Sequence, residues 1–129
     1  MIEEGQIVLF RFPQSDLRRS KIRPALIVRQ LPGNYDDWLL CMISSRLFQS
    51  TEIDEMIGPE DDDFTTSGLK TPSLIRISRL AVVDARVLEG AIGQISKERL
   101  NRIRVKIAAW ILGEQPVGAE GQTATDPRM

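Results

Sequence analysis

Histidine is missing altogether from these 129 residues, and that absence excludes a good deal of chemistry. Without it there is no Ser-His-Asp or Cys-His triad, and the commonest general base is gone. Cysteine occurs once, as Cys41 inside an apolar run. A single cysteine makes no intramolecular disulfide, which fits a reducing compartment, and with no histidine it cannot complete an ordinary zinc site. Aromatic residues are 5% of the chain, and the sequence shows no stacking platform of the kind single-strand binders use. No apolar run approaches the roughly 20 residues that span a bilayer. Met1-Ile2-Glu3-Glu4-Gly5 lacks the cationic and apolar regions of a signal peptide, so a cytoplasmic protein with no membrane partner is expected. An enzyme with this inventory works with arginine, lysine, carboxylates and hydroxyls, and no metal or cofactor is expected. Phosphodiester chemistry is one of the few reactions that suits it.

The formal net charge of −1 says little, because the charges are segregated. Residues 11–29 are basic, 52–63 acidic and 97–106 basic again. Blocks hidden under a near-zero total predict a polar surface with a positive face. The run Glu60-Asp61-Asp62-Asp63, with Thr65 to Gly68 after it, reads as a solvated loop. It lacks the alternating ligands and the glycine of a calcium loop. Length allows one domain with one core, here residues 1–113. The tail, 114–129, is rich in Pro, Gly, Thr and Ala. It is expected to be disordered, since it cannot bury enough apolar surface to offset the entropy of ordering.

Short β-branched and aromatic runs punctuated by turn residues dominate what remains. Gln6 to Phe12 is a first strand ended by Pro13, residues 24–30 a second after a polar loop at 14–22, and Trp38 to Ile43 a third that delivers Ser44 and Ser45. An edge-like strand is expected within Phe48–Ile57, a fifth from Ser73 through Val83, a turn or short helical piece over Asp84–Glu89, and a last strand from Gly90 to Ile95. Ser96 is a good N-cap, Gly113 a good C-terminal stop, and Leu100, Ile103, Ile107, Trp110 and Ile111 form one apolar helical stripe. Trp38 reads as core. The sum is a mainly β protein: a small, strongly bent antiparallel sheet or barrel with an amphipathic C-terminal helix beside it.

Within that frame the stretch Ser20-Lys21-Ile22-Arg23-Pro24-Ala25-Leu26-Ile27-Val28 joins a basic loop to an apolar strand. Pro24 restricts its own φ and holds Arg23 extended, so a guanidinium is fixed at the entrance to a rigid element. Arg11, Arg18, Arg19 and Lys21 lie just ahead, relieved by Asp16 alone. Such a cluster suits phosphate. Arg76 and Arg79 either pair with the acidic run or face the same groove as Arg23; the sequence does not choose.

Three blocks, in order, resemble the MazF/PemK family of toxin endoribonucleases, the toxin halves of bacterial toxin–antitoxin pairs. Gly5 to Pro13 is similar to the family's "G-D-I-V-x-x-x-F-x-P" strand, and Lys21 to Val28 to its "R-P-A-L-V-V" strand. Ser73 to Leu80, with Gly93-Gln94-Ile95-Ser96, is similar to its "S-x-V-R-x-D-x-L … I-G-x-L-S" ending. The resemblance covers roughly residues 4–113. It implies an SH3-like barrel (CcdB/PemK-like) used as a homodimer. It also implies metal-free cleavage of single-stranded RNA by 2′-hydroxyl attack, leaving a 2′,3′-cyclic phosphate. The family's catalytic arginine falls on Arg23 and its threonine on Ser44, which keeps the hydroxyl without the methyl. Arg18, Arg19, Lys21, Ser45, Arg46 and Gln49 are the expected RNA contacts, with Thr51 beside them. Where many relatives carry Ser-Glu-Gln this chain has Leu17-Arg18-Arg19, and the general base stays open between Asp16 and a phosphate oxygen. An acidic antitoxin is expected to neutralise the basic loop and helix. Two other functions share this fold: a weak or inactive relative acting by binding, such as a gyrase-poison-like toxin, and an SH3-like module for RNA or peptide.

Overall fold

The computed structural model describes residues 2–13 and 20–114. Six strands form one antiparallel sheet: β1 (Gln6–Pro13), β2 (Ser20–Gln30), β3 (Asp37–Ser44), β4 (Glu55–Ile57), β5 (Ser73–Asp84) and β6 (Leu88–Gln94). A one-turn helix, α1 (Phe64–Ser67), lies between β4 and β5, and α2 (Lys97–Ile111) closes the fold. The strand order is β4-β5-β3-β2-β1-β6. The mainly β architecture with a C-terminal helix is therefore as expected.

That order forces the sheet to curl. β5 and β6 are joined by a 3-10 turn at Ala85–Val87, yet β3, β2 and β1 lie between them. Four strand spacings of about 4.8 Å amount to ~19 Å, whereas the steps from Asp84 to Leu88 reach at most ~14 Å. A flat sheet would tear the link, so the sheet bends into a barrel-like shape. β4 and β6 do not pair; instead α1 abuts β6. A methyl group placed on Gly93 would lie 2.2 Å from the Thr66 carbonyl oxygen, and one on Gly68 would lie 2.2 Å from that of Ile92. Side-chain-free backbone is what allows this seam.

Two apolar clusters fill the faces. Ile7, Leu26, Val28, Cys41, Ile43, Ile57, Ile75 and Ile77 pack against Leu100, Ile103 and Ile107 of α2. Val8, Phe10, Ala25, Ile27, Trp38 and Leu40 form the other, so Trp38 is core as expected. The helix stripe stops earlier than its spacing predicts. Trp110 and Ile111 are 59% and 66% exposed, lying past Ile107 where the core ends. The caps hold: Ser96 Oγ accepts from the Arg99 N–H at 3.1 Å. At the other end Gly113 (φ 76°) permits the paired bonds from the Gly113 N–H to the Trp110 carbonyl and from the Glu114 N–H to that of Ala109.

Two further expectations need correction. β2 begins at Ser20, ahead of Pro24, because β1 recruits it through Phe12↔Lys21 and Phe10↔Arg23. The acidic run is not simply a solvated loop. Asp63 is 6% exposed and takes the Arg99 guanidinium at 2.8 and 3.1 Å together with the Ser96 N–H at 3.0 Å. Glu55, also buried, accepts from Arg99, Arg102 and Lys106. Residues 99, 102 and 106 share one helical face, and that face is turned onto these acids. Burial alone would raise both carboxyl pKa values. Arg99 offsets it for Asp63, and Arg102 with Lys106 offsets it for Glu55, so both are held below the ordinary range. The positive face expected on the helix is thus largely neutralised within the chain. Residues 14–19 and the tail from residue 115, with the disorder expected of it, lie outside the described residues. Among the described residues no helix is long and apolar enough to cross a membrane.

Candidate active site

β2 and β3 pair through Ala25↔Met42. Two residues back from Ala25 stands Arg23, and two on from Met42 stands Ser44, so the antiparallel alternation brings both to one end and one face. On the other side of β3, Met42 pairs with Arg76 of β5. Positions 76 and 79 are an odd number apart, which in an unbroken strand sends them to opposite faces. The register, however, jumps from Met42↔Arg76 to Cys41↔Leu80. Ile77, Ser78 and Arg79 therefore form a bulge, and Arg79 is returned to the side of Arg76. The result is an open cleft of about 450 Å³ whose walls include Arg23, Ser44, Arg46, Gln49, Arg76 and Arg79, floored by Met42, Leu80 and Ala81.

Asp54 pins the bulge. Its carboxylate accepts from the Ser78 N–H at 2.8 Å and the Ser78 hydroxyl at 3.0 Å, and from the Thr51 N–H at 3.0 Å. Burial would raise its pKa, but these donated bonds outweigh it and the group is held low. The same carboxylate lies 3.9 Å from Arg76 Nε, a buried nitrogen with no hydrogen-bond partner. Arg76 gives its Nη1–H to Gln49 Oε1 at 2.9 Å. Arg76 is accordingly a fixed charge.

Arg23, half-buried, has no side-chain hydrogen bond or ion pair among the described residues, and neither have the exposed Arg46 and Arg79. Ser44 Oγ accepts from the Arg46 N–H at 3.0 Å, which orients the oxygen and leaves its own O–H to donate. Three uncommitted guanidiniums and a hydroxyl at one opening make a site for a phosphate or another oxyanion. Cys41 takes no part. It is buried, and burial together with the Asp54 charge pushes its pKa up to about 12, so no thiolate nucleophile is available. Among the described residues no cluster of three or more Cys, Asp or Glu could hold a metal ion.

Of the residues singled out from the sequence, Arg23, Ser44, Arg46 and Gln49 meet in this cleft. Gln49 gives its amide oxygen to Arg76 rather than leaving it open. Lys21 is exposed on β2, two residues before Arg23, and Ser45 is exposed between two wall residues; neither forms a wall. Thr51 is exposed, with its N–H on Asp54. Arg18, Arg19 and the candidate base Asp16 lie outside the described residues. The structure resolves the open choice for Arg76 and Arg79: they face the groove. Nothing local in the sequence singles out Asp54, or Phe48, which is 82% exposed between Arg46 and Gln49.

Fold and cleft together define a small, barrel-like β protein with an arginine-walled cleft at the end of two central strands. Residues 3–111 match the model of the PemK-like, MazF-like toxins of type II toxin–antitoxin systems, and the chain belongs to that family. No curated protein sequence matches the chain significantly. Solved structures do match its fold. The Mycobacterium tuberculosis toxin MazF-mt6 superposes with a TM-score of 0.58 at 13% identity, over 84% of this chain and 98% of that one. An endoribonuclease in complex with its cognate antitoxin, from a mycobacterial species, gives 0.56 at 17% identity, over 88% and 96%. MazE-MazF from Deinococcus radiodurans gives 0.54 at 16%, over 88% and 98%.

Proposed function

We propose that this toxin is an endoribonuclease that cuts single-stranded RNA without a metal, at the cleft between Arg23 and Ser44. The observation that carries this reading is the β5 bulge, which gathers Arg76 and Arg79 with Arg23 and Arg46 around one strand-end hydroxyl. The 2′-hydroxyl gives up its proton as its oxygen attacks the adjacent phosphorus, the bond to the 5′-oxygen breaks and that oxygen takes up a proton, and the products are a 2′,3′-cyclic phosphate and a 5′-hydroxyl. Negative charge grows on the non-bridging oxygens as this happens. Arg23 pairs with those oxygens, the Ser44 hydroxyl donates to one of them, and Arg76 contributes a fixed positive field. Among the described residues the cleft walls hold no carboxylate or imidazole, which suits charge stabilisation by guanidinium rather than by a divalent ion needing oxygen ligands. Lys21 and Ser45, with Arg18 and Arg19 of the preceding loop, extend the contact to the flanking backbone.

The partner that restrains the toxin is an acidic antitoxin whose carboxylates take the phosphate's place in the cleft. One of the similar structures is an endoribonuclease in complex with its cognate antitoxin, and another is MazE-MazF. The toxin acts in the cytoplasm as a homodimer. Incubating it with single-stranded RNA in excess EDTA tests the reaction: fragments should end in a cyclic phosphate and begin with a 5′-hydroxyl. Fragments with 5′-phosphates, or loss of cleavage in EDTA, refute the mechanism. RNA bound but uncut points to a toxin that acts by binding.

A further inference from the structure

We propose that Phe48 is the base-stacking residue of this cleft, the ring on which an unpaired nucleobase lies beside the phosphate held by Arg23 and Ser44. The inference rests on the RNA-cleaving reading above and deepens it by naming what meets the base.

Phe48 is the most exposed large apolar side chain among the described residues, at 82%. A lone exposed apolar residue needs no explanation; its position does. It stands between Arg46 and Gln49, both walls of the cleft, on a 3-10 turn from Leu47 to Gln49. The turn is fastened at both ends, by the Gln49 N–H on the Arg46 carbonyl at 3.1 Å and the Ser50 N–H on that of Leu47 at 3.2 Å. It is also tied to the chemistry. The Arg46 N–H bonds Ser44 Oγ, and Gln49 Oε1 holds Arg76. The ring is thus carried on a braced platform, and four residues from Ser44 it lies within about 14 Å of that residue along the chain. A base attached to a ribose next to the scissile phosphate reaches it.

Of the other aromatics whose side chains are described, Phe10 and Trp38 are core at 7% exposed, Phe64 packs against the core, and Trp110 lies on α2, which contributes no wall to the cleft. Tyr35 is exposed but precedes β3, at the opposite end of that strand from Ser44. A nucleobase suits the position because every base offers a π-face to a flat ring while its phosphate meets guanidinium. Arg46, two residues before Phe48 and a wall of the cleft, supplies that cation.

The test uses wild type, Phe48→Ala, Phe48→Leu and Phe48→Trp on a cleavable oligonucleotide, intact or with one abasic site at each position around the cut. Phe48→Ala should lower kcat/KM about 5- to 150-fold with an unchanged Tm. Phe48→Trp should restore activity and Phe48→Leu should not. An abasic site at one position should penalise wild type by a similar factor and Phe48→Ala by nothing more. Equal kcat/KM for wild type and Phe48→Ala overturns the inference alone, as do full activity in Phe48→Leu or identical abasic penalties in both proteins. A variant that cuts RNA normally but no longer binds an acidic antitoxin peptide makes Phe48 a protein contact and also overturns it. If wild type neither cuts nor binds the RNA, this inference falls together with the reading it rests on.

Discussion

Replacing Arg23 by alanine should separate catalysis from folding. The guanidinium has no partner among the described residues, while β2 is anchored just beyond it by Ala25, Leu26 and Ile27 at 0% exposure and Val28 at 2%. Little stability is at stake, because no hydrogen bond or ion pair among the described residues is lost and trimming a half-buried stem costs on the order of 1 kcal/mol. The barrier is another matter. A unit charge about 4 Å from the developing phosphoryl charge, at an effective dielectric near 20, contributes ~4 kcal/mol. Removing one donor aimed at an oxyanion typically costs about 3–4 kcal/mol, a factor of ~100–1,000. The two estimates agree. Arg46, Arg76 and Arg79 stay in the cleft, so ground-state binding of RNA falls less than the rate, and the loss should appear mainly in kcat. Arg23→Lys should rescue little, because a point charge cannot pair bidentately. Single-turnover cleavage of an oligonucleotide at fixed salt, beside thermal melts of each variant, gives both quantities. Cleavage at the wild-type rate by Arg23→Ala, or its failure to fold, refutes the reasoning.

The remaining predictions concern the frame. Gly93→Ala places a methyl group 2.2 Å from the Thr66 carbonyl oxygen and 2.4 Å from the Ser67 carbonyl carbon. The overpacking should destabilise by about 1–3 kcal/mol, at roughly 4–8 °C of Tm per kcal/mol; an unchanged Tm would show that α1 is free to move off β6. Asp54, Glu55 and Asp63 all have folded-state pKa values below their ordinary 3.8, 4.5 and 3.8. The stability they give is complete above those values and lost as pH falls through the folded ones. Tm should be flat down to about pH 5 and drop below it, less steeply in Asp63→Asn, and a flat wild-type profile to pH 3 contradicts the assignment.

What the sequence reveals follows from which interactions are local. Strands β1 to β3, the capped helix and the core position of Trp38 are legible because alternation, β-branching and cap residues act within a few positions. The early start of β2 was hidden because only the cross-strand partners Phe12 and Phe10 extend it that far. Arg23 and Ser44 stood out through the resemblance and through Pro24 and the strand end. Arg76 and Arg79 could not be assigned to a face, since nothing in Arg76-Ile77-Ser78-Arg79 announces a bulge. That irregularity is held by Asp54, 24 residues away. The reading of Glu60 to Asp63 as a solvated loop fails at Asp63, and Glu55 has no assigned role, for the same reason. Their partners, Arg99, Arg102 and Lys106, are on an element formed some 40 residues later, and a charge run alone does not say whether it meets water or a helix.

These distant pairings explain how a chain of nearly zero net charge presents a cationic cleft. Glu55, Asp61 and Asp63 are held against α2, and Asp54 is turned onto the Ser78 backbone and hydroxyl. Four acids of the central segment are thereby kept from the groove, although they lie within 14 residues of its wall at Gln49. Within the groove the arginines then divide by what already holds them. Arg76, bonded to Gln49 and near Asp54, is a stationary charge that loses little entropy when a ligand arrives. Arg23, Arg46 and Arg79 keep their donors, and each must lose side-chain freedom, up to ~2 kcal/mol, on binding. A phosphate that engages them bidentately offsets that loss better than a single carboxylate does. A carboxylate-bearing inhibitor therefore needs several acids spaced across the groove to compete with RNA, and one aspartate on Arg23 is not enough.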